Sequence, residues 1–245
     1  MINGKTNIYA LIGNPVSHTF SPIMHNKLFE NYKLNSLYCA FQVEEDKLSM
    51  ALSGVKSLGI KGLNVTIPHK ESIMKYLDNI SDEAKAIGAV NTVKNINGLT
   101  YGYNTDVYGF MKSLNENNIE YINKKIAILG FGGSAKAVVY GLISGGIKEL
   151  TIYVRNEIKA RELSKNMEIL SEIQYNIKSI NNCEVDLGEV DLIINATPLG
   201  MGNLNDKSPI DFRKSNFKQG LAVVDLIYNP METVLIKDAR ELGYR

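Results

Sequence analysis

Short apolar runs alternate with stretches of helical spacing along the chain. The apolar run at 8–12 is ended by Gly13-Asn14-Pro15 and predicts a strand. Ser21 followed by Pro22 predicts an N-cap and a proline in the first turn, opening a helix to about residue 32. A second strand is expected over 36–43. Residues 44–58 have helical spacing, with Leu48, Leu52, Val55 and Leu58 on one face. A third strand is expected over 60–67, closed by Pro68. Residues 89–94 and 100–103 predict a hairpin around Asn97-Gly98. Asn104-Thr105-Asp106 then caps a helix running to about residue 117.

The alternation restarts in the second half. Strands are expected over 125–129, 150–154, 191–195 and 222–226, with helices over 134–143, 157–167 and 231–242. Strands alternating with helices imply largely parallel sheets covered on both faces. The fold class read from this pattern is α/β in two domains, with the boundary in or beside the helix that starts near Asp106.

Length agrees, because 245 residues suffice for two compact domains. A 44% apolar share is enough for real cores, and a formal net charge of +1 gives no broad field to recruit nucleic acid or an anionic membrane. Cys39 and Cys183 lie far apart and outside any zinc-binding spacing, so two reduced thiols and no metal site are expected. No stretch is long and apolar enough to span a membrane, and the first residues lack the pattern of a signal peptide; a cytoplasmic protein is expected.

The most specific local motif is Gly130-Phe131-Gly132-Gly133-Ser134-Ala135, between a predicted strand and a predicted helix. It fits the glycine turn of dinucleotide-binding folds. The first Gly permits the turn, the second lets backbone approach a pyrophosphate, and the small residue at Ala135 lets helix pack on strand. The next strand ends in Val154-Arg155-Asn156-Glu157-Ile158-Lys159. No acid stands at the strand end to hold a ribose 2′-hydroxyl, whereas Arg155 and Lys159 suit a 2′-phosphate, which favours NADP over NAD. Glu157 keeps NAD open. In the first half, polar residues gather at strand ends: Ser17 to Pro22, Asn64 to Lys70, Asn91-Thr92 and Asn104 to Asp106. Amides, hydroxyls, one Lys and one Asp suit a hydroxylated anion. A Lys beside an Asp also offers a cation and a proton route to a nascent alkoxide.

Several segments, in order, resemble the shikimate dehydrogenase family. They are Gly13-Asn14-Pro15 with Ser21-Pro22, Asn64-Val65-Thr66-Ile67-Pro68-His69-Lys70, Gly88-Ala89-Val90-Asn91-Thr92, Asn104-Thr105-Asp106, the glycine turn, Asn195-Ala196-Thr197-Pro198-Leu199-Gly200-Met201, and Asp225-Leu226-Ile227-Tyr228-Asn229-Pro230. The resemblance implies a substrate-binding catalytic domain over 1–106 and an NADP-binding Rossmann domain over 107–245. It implies Lys70 and Asp106 as the catalytic pair. Thr19 and Ser21 would hold the substrate carboxylate, and Asn64, Thr66, Asn91, Asp106 and Tyr228 would complete the substrate contacts. The cofactor set would be Gly130, Gly132, Gly133, Ser134, Ala135, Arg155, Asn156, Lys159, Thr197 and Leu226. The implied activity is the reversible NADP-dependent reduction of 3-dehydroshikimate to shikimate in aromatic amino-acid biosynthesis, by a monomer or homodimer. The alternatives are a quinate/shikimate dehydrogenase using NAD and a non-catalytic ligand-binding relative. Family members continue with a Gly-Leu-Gly-Met-Leu segment, a substrate-binding Gln and further helices; the sequence here ends before them, at Gly243-Tyr244-Arg245.

Overall fold

A computed structural model describes residues 2–181, 187–214 and 216–245. Cys183 lies outside the described residues, and Cys39 is a free, partly buried thiol. The chain divides into two compact units, Met1–Thr105 and Asp106–Arg245. Asp106, read from sequence with the first half, thus opens the second unit.

The first unit contains β1 (Asn7–Gly13), α1 (Ser21–Asn31), β2 (Ser36–Gln42), α2 (Leu48–Ser57), β3 (Gly62–Val65), α3 (His69–Ser72), β4 (Asn79–Ile80), α4 (Asp82–Ile87), β5 (Thr92–Ile96) and β6 (Leu99–Tyr103). Its sheet has the order β2-β1-β3-β5-β6-β4. β1 runs parallel to β2 and β3, whereas β5 is antiparallel to both β3 and β6. The hairpin forms as the Asn97-Gly98 pair predicts: φ is 52° at Asn97 and 85° at Gly98, the two left-handed residues that a twisted two-residue turn requires. Alternate residues of β1 serve opposite faces. Ala10 and Ile12 join Leu48, Leu52, Val55, Leu63 and Val65 in one core, while Leu11 packs with Val16 and Tyr38 on the other.

Some elements differ from expectation, each for a local reason. The helix expected over 44–58 begins as a 3-10 turn at Glu45–Lys47, and Leu58 falls just past its last turn, where it is 78% exposed. Ser21 is the first residue inside α1 and not its cap; Phe20 holds that place, already in helical conformation. The Asn104 amide nitrogen is buried and donates to the Ala89 carbonyl at 3.0 Å. α4 was not expected, although Ser81 caps it through Ala84 N–H and Gly88 ends it in the left-handed region at φ 72°. It is only six residues long, too short for its periodicity to register.

The second unit contains α5 (Asp106–Glu116), β7 (Ile126–Leu129), α6 (Gly133–Ser144), β8 (Glu149–Val154), α7 (Glu157–Ser164), β9 (Gln174–Ser179), β10 (Leu192–Asn195), β11 (Ala222–Asp225) and α8 (Val234–Glu241). Its sheet is parallel throughout, in the order β11-β10-β7-β8-β9. In chain order this reads 5-4-1-2-3, the arrangement of a mononucleotide-binding half extended on both sides of its first strand. Every residue of β7 and β10 is buried. Ile126 and Ile128 pack with Leu114, Val138 and Leu142 on one face, and Ala127 and Leu129 with Ile193, Phe212 and Leu235 on the other. Burial on both faces is why these strands read as continuous apolar runs. β9 was missed because it is an edge strand with exposed Gln174, Asn176 and Lys178.

Candidate active site

In the first unit the polar segments meet at the carboxyl ends of β1 and β3. Gly13 makes this possible. A Cβ there would lie 2.3 Å from Thr66 Cγ2 and 3.0 Å from the Ile67 carbonyl oxygen, so only glycine lets the two chain segments touch. Thr66 N–H donates to the Ile12 carbonyl at 3.0 Å, and Asn14 N–H to that of Ile67 at 2.9 Å. Lys70, the second residue of α3, is half-buried, and its carbonyl accepts from Val90 N–H at 2.8 Å. The next residue, Asn91, is buried and its carbonyl accepts from Val65 N–H at 2.8 Å. Backbone bonds therefore bring the Asn64–Lys70 segment and Asn91 together without using the side chains of Lys70 or Thr66.

The side chains form a chain of their own. Thr105 N–H donates to Asn91 Oδ1 at 2.9 Å, and Asn91 Nδ2 to Thr105 Oγ1 at 3.0 Å. Thr92 Oγ1 donates to Asn91 Oδ1 at 2.9 Å, Asn64 Nδ2 to Thr92 Oγ1 at 3.3 Å, and Tyr38 Oη to Asn64 Oδ1 at 2.6 Å. Burial pushes the Tyr38 phenol well above its ordinary pKa, so it stays protonated. Asp106 follows Thr105 directly, so the peptide bond sets its Cα about 3.8 Å from that of Thr105. Thr19 and Ser21 meet at the start of α1, where Thr19 Oγ1 donates to Ser21 Oγ at 3.1 Å. An anion there would also gain from the N–H groups of the first helical turn.

Tyr38 lies in β2, as expected, but the sequence pattern assigns its hydroxyl no role. One signal existed: a tyrosine on a buried face needs a partner for its hydroxyl. His69 was quoted without a role. Its ring is fully buried and its Nε2–H donates to the Val43 carbonyl at 2.7 Å, tying α3 to the end of β2.

In the second unit the switch point lies between β7 and β10, whose following chains leave in opposite directions along the sheet. The glycine turn follows β7 there. Gly130 has φ 100° and a Cβ would lie 3.0 Å from the Ala196 carbonyl, so this first glycine is required by the fold itself. Gly132 is different. Its φ is −89° and a Cβ would meet nothing within 4 Å. The protein's own packing does not demand glycine at 132; the space before the start of α6 would admit a phosphate group, and in this respect the residues fit a dinucleotide. Gly133, Ser134 and Ala135 form the first turn of α6, with Ala135 buried against the sheet.

Arg155 and Lys159 are exposed at the end of β8 and the start of α7. Asn156 spends its oxygen on the helix, accepting from Lys159 N–H at 3.0 Å. Glu157 is engaged by Arg161, which approaches to 3.3 Å and also donates to the Ile177 carbonyl at 2.6 Å. The acid that kept a ribose contact open thus faces its own helix. Across the switch point, Asn195 Oδ1 accepts from Thr197 N–H at 3.0 Å and Thr197 Oγ1 at 2.8 Å, while its Nδ2 donates to Asp225 Oδ1 at 3.0 Å. Asp225 also accepts from Thr233 Oγ1 at 2.7 Å and Ile227 N–H at 3.0 Å. Burial raises its pKa in spite of these donors. This buried knot fixes the loops that carry Thr197, Leu226 and Tyr228, whose side chain is 64% exposed. The sequence pattern alone gives Asn195 and Asp225 no role; their partners come from three separate segments. Among the described residues, no cluster of His, Cys, Asp and Glu could hold a metal ion, and no helix is long and apolar enough to cross a membrane.

Comparison with known proteins agrees with both halves of this arrangement. Residues 11–93 match the family model of the shikimate dehydrogenase substrate binding domain, and residues 113–230 that of shikimate / quinate 5-dehydrogenase. A protein of Methanococcus maripaludis named shikimate dehydrogenase (NADP+) is 46% identical over 99% of this chain and 86% of its own length. Among solved structures, a shikimate dehydrogenase in complex with NADP+ is 43% identical with a TM-score of 0.87, covering 100% of this chain and 85% of that one. A shikimate 5-dehydrogenase of Listeria monocytogenes, in complex with shikimate and NAD, is 32% identical with a TM-score of 0.85, covering 100% of this chain and 86% of that one. Two family models in the right order, matching relatives along nearly the whole chain and a shared fold leave one assignment: the chain belongs to the shikimate dehydrogenase family.

Proposed function

We propose that this protein is an NADP-dependent shikimate dehydrogenase, reducing the ketone of 3-dehydroshikimate to the alcohol of shikimate and catalysing the reverse oxidation. The observation that carries the reading is the glycine turn after β7, at the switch point of a five-stranded parallel sheet, in a chain that also holds the Asn64–Asn91–Thr105 cluster. The first unit is read as the substrate-binding catalytic domain and the second as the NADP-binding domain.

When bound, NADPH supplies the hydride that the ketone carbon accepts. The protein's own residues then have three tasks. Thr19 and Ser21 hold the carboxylate at the start of α1. Asn64, Thr66 and Asn91 bond the ring hydroxyls. Lys70 would place positive charge where the alkoxide develops and give it a proton, with Asp106 as the second catalytic residue. On the cofactor side, Gly130, Gly132, Gly133, Ser134 and Ala135 accommodate the pyrophosphate. Arg155 and Lys159 would hold the 2′-phosphate, for which a guanidinium fork and an ammonium charge are both suited. Thr197 and Leu226 stand on loops held by Asn195 and Asp225, and Asn156 shapes the start of α7.

Steady-state assays of shikimate and quinate, each with NADP+ and NAD+, test this reading. The expected result is the highest kcat/KM for shikimate with NADP+. Turnover of quinate with NAD+ in preference, or no turnover of either acid, would refute it.

A further inference from the structure

We infer that Tyr38 is a positioning residue for the substrate site: its hydroxyl anchors the Asn64 amide in the orientation that Thr92 sets, so that Asn64 presents an N–H donor to a ring hydroxyl of the substrate. The inference rests on the proposed role of Asn64 as a substrate contact.

The direction of every bond in the side-chain chain follows from one end. The backbone N–H of Thr105 can only donate, so the Asn91 atom it meets at 2.9 Å must be the oxygen. The Thr92 hydroxyl lies 2.9 Å from that same oxygen and must therefore donate its single hydrogen to it. With its hydrogen spent, Thr92 Oγ1 can only accept from Asn64, 3.3 Å away, so the Asn64 atom facing it is nitrogen. The Asn64 oxygen is then turned towards Tyr38, whose hydroxyl donates to it at 2.6 Å. Tyr38 closes the chain. Its side chain is 3% exposed, and its backbone is held on both sides by Asn26, whose Oδ1 accepts from Tyr38 N–H at 2.8 Å and whose Nδ2 donates to the Tyr38 carbonyl at 2.9 Å. Its ring stacks on His25 with centroids 4.1 Å apart and planes 8° from parallel. The phenol is thus fixed by contacts that do not involve its oxygen.

An asparagine amide has two donors and two acceptor lone pairs. Here Thr92 takes one N–H and Tyr38 takes one lone pair, which leaves one N–H for a ligand. A flip of the amide would set two oxygens, Asn64 Oδ1 and Thr92 Oγ1, against each other, so Thr92 sets which end is nitrogen; without the Tyr38 hydroxyl the oxygen end has no donor and the amide plane can swing about its one remaining bond.

The test is Tyr38→Phe, which removes one oxygen and keeps the stacked ring. KM for shikimate should rise about 10-fold, the loss of roughly one neutral hydrogen bond, with kcat and KM for NADP+ within twofold of the parent. Asn64→Ala should raise the same KM at least as far. The double variant should be no worse than Asn64→Ala alone, because Tyr38 acts through Asn64. Against a panel of monodeoxy shikimates, the effect of Tyr38→Phe should vanish for the analogue lacking the hydroxyl that Asn64 meets, a readout that a purely structural role would not move. Three results would overturn the inference: an unchanged shikimate KM in Tyr38→Phe, additive effects in the double variant, or equal losses on every analogue. If Asn64→Ala itself leaves the shikimate KM unchanged, the reading of Asn64 fails first and the inference falls with it.

Discussion

Single residues carry the chemistry, and their roles separate in kinetics. Lys70 sits in the second position of α3, and that helix is anchored by buried His69 and by the Lys70–Val90 backbone bond. Its backbone is therefore placed independently of its ammonium group. If Lys70 protonates the alkoxide, Lys70→Ala should lower kcat by about 10²–10⁴-fold while KM for NADP+ stays near the parent value. A raised shikimate KM with kcat preserved would make Lys70 a point charge for binding only. At the other ligand, Arg155→Ala should weaken NADP+ far more than NAD+, since only NADP+ brings a 2′-phosphate for the guanidinium to pair. Equal losses for both cofactors would remove Arg155 from that role. Glu157 is not expected to take over, because Arg161 already occupies it.

Elements explain why two glycines of one turn should behave in opposite ways. Gly130 combines φ 100° with a 3.0 Å approach to the Ala196 carbonyl. Gly130→Ala should therefore destabilise the protein, by about 1–3 kcal/mol for the backbone strain alone. Gly132 lies at φ −89° before open space and caps α6. Gly132→Ala should change stability by no more than about 1 kcal/mol, the difference between Gly and Ala at a helix cap, yet raise KM for NADP+ strongly. Denaturant unfolding of both variants beside cofactor titrations checks this. A Gly132→Ala protein that binds NADP+ normally would show that no phosphate approaches there. These glycines also mark how far local pattern reaches. G-x-G-x-x-A announced the turn, but only the coordinates separate Gly130, which the fold needs, from Gly132, which it does not. α4 teaches the reverse: Ser81, Asp82, Glu83 and Gly88 carry start and stop signals, but so short a helix has no periodicity to be noticed.

At the scale of the whole molecule, the apolar cores are separate. Those built on β1 and β3 use residues of the first unit, and those built on β7 and β10 use residues of the second. A ligand that binds one folded unit stabilises that unit by mass action, about 2.7 kcal/mol at a hundredfold excess over Kd. NADP+ without substrate should thus slow amide hydrogen exchange over 126–137 and 155–159, and leave 62–65 and 92–96 close to their unliganded rates. Equal slowing throughout 7–103 would show that the units open as one.

Much of this protein was legible in its sequence. The alternation of most strands and helices, the α/β class and the glycine turn follow from near-neighbour chemistry, namely periodicity, turn formers and the conformational freedom of glycine; β4, β9, α3 and α4 are short or polar and do not. Resemblance to a family supplied candidate residues, but not their surroundings. The tertiary structure decided which side chains meet. Tyr38, Asn64 and Thr92 stand on three different strands, and Asn195, Asp225 and Thr233 are likewise joined only when β10 and β11 pair. It also decided that Glu157 faces Arg161, that Asn156 caps α7 and that Leu58 is exposed. Hydrogen bonds between residues distant in sequence depend on strand order and register, and neither is written in the spacing of apolar residues along one chain.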